Sequence, residues 1–125
     1  MVVRLETSSD PARLEVLADP ALLEQVLINL VLNACDAVRG EAHPRIDLTA
    51  SLDERGRPVI QVRDNGVGIP EENLDKVFVP FFSTKEGGSG IGLSLSRQVM
   101  QLHNGTISVS SKPGAGSIFT LRFRM

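Results

Sequence analysis

Apolar residues Leu23, Val26, Leu27, Leu30, Ala34 and Ala37 recur at helical spacing. Asp19 before Pro20 reads as an N-cap followed by proline at the first helical position, and Gly40 with Pro44 ends the helix. Further on, Ile46, Leu48, Ala50 and Leu52 alternate with Asp47, Thr49, Ser51 and Asp53, the period of a half-buried strand. Polar Asp53 to Pro58, containing Gly56, turns the chain into a second strand, Val59 to Arg63, which ends directly at Asp64-Asn65-Gly66. From Ile69 to Gly90 the pattern loses its period, and only Glu71 to Phe78 has room for a short helix. An aperiodic stretch of this length inside a compact domain is usually functional, and Ser83 to Gly88 is expected to be mobile.

A second helix opens near Gly90, carries Leu95, Val99 and Leu102 on one face, and closes at Asn104-Gly105. Strands Thr106 to Ser110 and Ser117 to Phe123 follow, joined by the turn Pro113-Gly114-Ala115-Gly116, and the early segments Val2 to Leu5 and Leu14 to Leu17 are expected to add further strands. Helices among mostly hairpin-connected strands predict an α/β fold, a two-layer sandwich with a mixed sheet and helices on one face. No strand–GxxxxGK[ST]–helix element is present, which excludes a P-loop protein.

The length of 125 residues suits one domain, residues 1–125, with a real core. The net charge of −2, with Lys and Arg scattered, gives no basic face for nucleic acid. The longest apolar run, Val26 to Val38, is interrupted by Asn29, Asn33 and Asp36, so no direct membrane contact is expected of this domain. A single cysteine, Cys35, on an apolar helix has no internal disulfide partner, and a cytoplasmic setting fits.

On a helical wheel Gln25, Asn29, Asn33 and Asp36 fall in one stripe, with Val26, Leu30 and Ala37 on one side and Ile28, Leu32 and Cys35 on the other. Amides in such a stripe need partners, and two asparagines one turn apart can hold a metal without adding charge. Downstream stand two glycine-bracketed turns that are unremarkable singly. In Asp64-Asn65-Gly66-Val67-Gly68, an acceptor carboxylate at a strand end suits the exocyclic amine of adenine, where guanine would present a carbonyl. Gly88-Ser89-Gly90-Ile91-Gly92-Leu93 runs into a helix whose N-terminal amides favour phosphate oxygens. Between them, Phe78-Val79-Pro80-Phe81-Phe82-Ser83-Thr84-Lys85 places a cation, Lys85, within reach of a terminal phosphoryl group.

With these four elements in order, nearly the whole chain resembles the catalytic, ATP-binding domain of two-component sensor histidine kinases. That superfamily is shared with gyrase, the heat-shock chaperone of the ninety-kilodalton class and mismatch-repair ATPases. Gln25 to Ala34 matches its asparagine box, Asp64 to Gly68 the first glycine box, Phe78 to Lys85 the phenylalanine box and Gly88 to Leu93 the second glycine box. The Pro-Phe-Phe-Ser-Thr-Lys form is most like nitrogen-regulation-type kinases. The resemblance implies that Asn33 ligates Mg²⁺, that Asn29 supports the metal–phosphate region, and that Asp64 contacts the adenine of ATP. Gly66 and Gly68 would shape the base pocket, and Gly88, Gly90 and Gly92 would wrap the phosphates.

Asp36, Ala37, Ile69, Ser89, Ile91 and Leu93 complete the implied nucleotide-contacting set, together with Ser117, where the superfamily often has threonine. Asp36 stands where many such kinases have a basic residue, which gives Lys85 more of the phosphate-neutralising role. The resemblance also decides between chemistries. Superfamily ATPases carry a glutamate base at the position of Asn29, and asparagine cannot take a proton from water. An imidazole acceptor is itself nucleophilic, so phosphotransfer to histidine needs positioning and charge neutralisation instead. His43 lies in a loop and His103 ends a helix as a cap neighbour or cation, so neither has the setting of a phosphoacceptor. The expected partner is a separate dimerisation and phosphoacceptor domain, absent from residues 1–125, with a response-regulator receiver domain engaged indirectly. Alternatives are a nucleotide-binding regulatory module without phosphotransfer and, less in keeping with Asn29, a hydrolysing ATPase.

Overall fold

The computed structural model describes residues 4–10, 14–82 and 92–124. Its elements run β1 (Arg4–Asp10), α1 (Pro20–Ala37), β2 (Arg45–Leu52), β3 (Pro58–Asp64), a short 3₁₀ turn (Glu71–Asn73), α2 (Gly92–Leu102), β4 (Thr106–Lys112) and β5 (Gly116–Arg122). The sheet has five strands in the order β1-β2-β3-β5-β4. β1 pairs parallel with β2, as it must when α1 carries the chain back between them, and the other pairings are antiparallel. The expected two-layer sandwich with a mixed sheet is the fold observed.

α1 begins where its sequence says. The Asp19 carboxylate accepts the backbone N–H groups of Ala21 and Leu22, at 3.0 and 3.2 Å, and Pro20 occupies the first turn. Val26, Leu30, Ala34 and Val38, four residues apart, are buried against the sheet. The sheet meets them with Ile46 of β2, Ile60 and Val62 of β3, and Phe119 and Leu121 of β5, while Met100 contributes from α2. Asp64 lies directly across from Ile46 and from Ser117, so its side chain belongs to this helix-facing layer, at its end. The opposite face is polar, with Asp47 beside Arg63 and Gln61 donating to the Thr120 hydroxyl at 3.3 Å.

α2 closes as predicted. Asn104 takes a left-handed conformation at φ +57°, and the Gly105 N–H returns to the Met100 carbonyl at 2.8 Å. His103, expected as a cap neighbour or cation, braces this end of the helix. Its Nδ1–H donates to the Val99 carbonyl at 2.8 Å and its Nε2 accepts the Asp19 N–H at 3.0 Å, an arrangement that uses one ring proton and joins the end of α2 to the start of α1.

Two expectations are corrected. Residues 14–17 form no strand: their accessibility alternates and Val16 packs on the core, but the edge of β2 is taken by β1 and these residues pair with no strand of the sheet. Glu71 to Phe78 is helical only over the 3₁₀ turn and then continues as turns. The strand expected at Val2 to Leu5 is β1, reaching on to Asp10.

Candidate nucleotide-binding site

Asn29, Asn33 and Ala37 follow one another at intervals of four along α1, which spaces the first from the last by about 12 Å. At one end the Asn29 side-chain amide donates to the carbonyl of Gly92, the first residue of α2, at 3.4 Å. At the other, the Ala37 carbonyl accepts the Val67 N–H at 3.1 Å. Gly66 rests on that same carbonyl so closely that a Cβ would come within 2.2 Å of its oxygen. Glycine is required there by close approach. The asparagine stripe therefore starts beside Gly92 of α2, and the helix that carries it ends against the first glycine turn. Its flanks differ: Val26 and Leu30 are core, whereas Ile28 and Leu32 are exposed. Asn33 is half-buried in the stripe, and Asp36 lies at its exposed margin, 3.1 Å from Arg39.

Asp64, the last residue of β3, is only 4% exposed. Burial pushes its carboxyl above the usual range, while the backbone amides of Gly66 and Ser117 pull the other way. The Gly66 N–H donates to Oδ1 at 2.9 Å. Asn65 turns away from this carboxylate to hold the loop, its Oδ1 accepting from the Arg45 amide at 2.9 Å and its Nδ2 donating to the His43 carbonyl at 2.7 Å.

The loop after β3 interlocks with the β4–β5 hairpin. Gly68 has φ +75°, and a Cβ there would meet the Lys112 carbonyl oxygen at 2.0 Å. The Gly114 N–H donates to the Val67 carbonyl at 2.7 Å. The Ile69 N–H donates to the Ser111 hydroxyl oxygen at 2.8 Å. Ser111 also lies 2.9 Å from the Gly116 carbonyl and 2.8 Å from the Ser117 hydroxyl. Ser111 escaped sequence reading, although a hairpin turning at Pro113 to Gly116 places it across from Ser117 and so gave the signal.

The structure brings together Asp64, Gly66, Gly68, Ile69 and Ser117 at the Ala37 end of α1, and Asn29 with Gly92 at the other. Leu93 is half-buried against the core. Lys85, Gly88, Ser89, Gly90 and Ile91, with the expected mobile stretch Ser83 to Gly88, lie outside the described residues. In the phenylalanine box, Phe78 packs edge-on against Phe119 with ring centroids 6.4 Å apart, whereas Phe81 is 79% exposed at φ +67°.

A mixed five-stranded sheet under two helices is the fold of histidine kinase catalytic domains. The catalytic domain of histidine kinase ThkA, in a nucleotide-free form, matches 97% of this chain and 79% of its own at 36% identity and a TM-score of 0.84. Full-length ShkA, solved in complex with AMPPNP, matches 97% of this chain over 25% of its own, at 26% identity and a TM-score of 0.85. Residues 18–125 match the family described as histidine kinase-, DNA gyrase B-, and HSP90-like ATPase, and the chain belongs to that family.

Similar proteins include the sensor histidine kinase ZraS of Escherichia coli K12, 44% identical over 93% of this chain and 22% of its own length. The signal transduction histidine-protein kinase AtoS of the same organism is 42% identical over 80% of this chain and 16% of its own. The sensory histidine kinase/phosphatase NtrB of Vibrio alginolyticus is 34% identical over 88% of this chain and 34% of its own. The chain thus spans about a fifth of the length of the first two relatives.

Proposed function

We propose that this chain binds Mg·ATP along α1 and presents its γ-phosphoryl group to a histidine on a separate dimerisation and phosphoacceptor domain, as the catalytic half of a two-component kinase. A receiver domain would then take the phosphoryl group from that histidine. The observation that carries the reading is the Asp64 corner, a buried acceptor held by the backbone amides of Gly66 and Ser117 where the end of β3 meets the end of α1. ShkA holding AMPPNP on the same fold supports it.

Asn33 supplies a neutral oxygen, and no group of three His, Cys, Asp or Glu side chains suited to a metal occurs among the described residues. Such a donor set fits a magnesium ion carried mainly by the nucleotide's phosphates, with Asn33 as its protein ligand. When bound, the ion would neutralise charge on the transferring group. The chain's own contribution is positional: Asp64 orients the base, and Asn29 ties α1 to the first residue of α2 by donating to Gly92. An amide used as a donor provides no general base for water, which favours phosphotransfer over hydrolysis. Lys85 would complete the charge neutralisation.

No described helix is long and apolar enough to cross a membrane, and membrane anchoring of a longer kinase would lie elsewhere. The test is to titrate the chain with ATP and GTP, with and without Mg²⁺, and to incubate it with a histidine-bearing dimerisation domain and labelled ATP. Acid-labile label on the domain is expected. Tight ATP binding without label, under conditions where a related kinase labels the same domain, would favour a regulatory module, and steady ATP turnover by the chain alone would favour an ATPase.

A further inference from the structure

Ser111 touches three groups with one proton to give. The Ile69 N–H can only donate to it, and the Gly116 carbonyl can only accept from it. The Ser111 proton therefore goes to Gly116, and the 2.8 Å contact with Ser117 requires the proton of Ser117. All three bonds are then made, with both acceptor sites of Ser111 filled.

We infer that Ser111 is a positioning residue for base selection, because it draws the Ser117 hydroxyl proton away and leaves the Ser117 oxygen as an acceptor beside Asp64. The inference rests on the assignment of this corner as the base pocket. Ser117 sits directly across from Asp64 on the helix-facing side of the sheet, and both are buried, so their side-chain oxygens are cross-strand neighbours. The end of the pocket thus offers acceptors alone. That pattern suits a base edge carrying an amine and opposes one carrying a carbonyl, as guanine does. A freely rotating Ser117 hydroxyl would donate to that carbonyl and soften the discrimination. Ser111 touches no base in this scheme; it acts through Ser117.

Nucleotide affinities of wild type, Ser111→Ala, Ser111→Thr, Ser117→Ala and the double alanine variant test this, read as the ratio of ATP to GTP binding. In Ser111→Ala the ratio is expected to fall about five- to tenfold, the value of one neutral hydrogen bond, mainly through tighter GTP binding. Ser111→Thr keeps the hydroxyl and is expected to restore the ratio. The double variant is expected to match Ser117→Ala, since Ser111 has no effect without its partner hydroxyl. A merely structural role would lower stability and both affinities together, and an unchanged ratio in Ser111→Ala overturns the proposal. If Ser111→Ala does not fold, Ser117→Ala decides: no fall in its ratio is the overturning result. A wild type without preference for ATP overturns both this inference and the base-pocket assignment, whereas a wild-type preference that Ser111→Ala leaves intact overturns this inference alone.

Discussion

Asp64→Asn separates what the site costs from what it does. The carboxyl is 4% exposed, and burial raises it above its ordinary value of 3.8. Between that value and the raised folded value, the folded chain keeps a proton that the unfolded chain has lost. Stability therefore falls as pH rises through this window, and at neutral pH the ionised carboxylate carries a standing cost. Asparagine keeps an oxygen for the Gly66 N–H and removes the charge. Asp64→Asn is expected to unfold at the same or higher urea concentration than wild type at pH 7, with the difference shrinking as pH drops through the window.

Binding should move in the opposite direction. A charge-assisted hydrogen bond is worth about 1.5–3 kcal/mol, so ATP affinity should fall roughly 10- to 150-fold. The new amide can donate to a carbonyl, so GTP should lose less. Isothermal titration with both nucleotides, alongside urea melts across pH, reads both effects. ATP affinity within threefold of wild type would refute the base contact, and a clear loss of stability at pH 7 would refute the burial argument.

Gly68→Ala should cost well over 2 kcal/mol in urea unfolding, because strain at φ +75° is joined by a Cβ 2.0 Å from the Lys112 carbonyl oxygen. Gly40→Ala, at φ +93° with nothing within 4 Å, should cost only the strain, on the order of 1 kcal/mol; equal costs would refute the interlocked-loop reading. Leu30→Ala, at a fully buried position, should lose about 2–5 kcal/mol in the same assay, and a loss below 1 kcal/mol would contradict its place at the centre of the core. Asn33→Ala should abolish the Mg²⁺-dependent part of ATP affinity and leave Mg²⁺-free binding unchanged, and an unaltered magnesium response in titration would remove Asn33 as the ligand.

The legible parts of the fold are those set by near neighbours. Asp19 caps α1 through residues two and three places on, and Asn104-Gly105 ends α2 through its last turn. Leu14 to Leu17 misled because alternation records which side chains face the core, as Val16 does, and not whether the backbone has a strand to pair with. That pairing was decided by β1, whose parallel partner β2 lies across the whole of α1. The candidate site divides in the same way. Asp64, Gly66 and Gly68 announced themselves through local turn chemistry, whereas Ser111 depends on hairpin register. The Asn29–Gly92 bond joins positions 63 residues apart.

These two kinds of contact also give the two ends of the site different mechanical character. At the base end, Gly66 against Ala37, Gly68 against Lys112 and Gly116 against Asp64 are all approaches of main chain to main chain, where a Cβ would come within 2.0–2.2 Å of a carbonyl oxygen. Interlocked backbone cannot shift without opening several elements together, so the pocket around Asp64 is set by folding itself. At the start of α2 the bond to α1 is of another kind, a single side-chain amide of Asn29 on the Gly92 carbonyl at 3.4 Å. Substitution of Asn29 by alanine should therefore leave adenosine binding unaltered while weakening whatever depends on the start of α2, the phosphate end. Under the proposed function, a base pocket fixed by interlocked backbone would hold the nucleotide by its adenine while the phosphoryl group is brought to its acceptor.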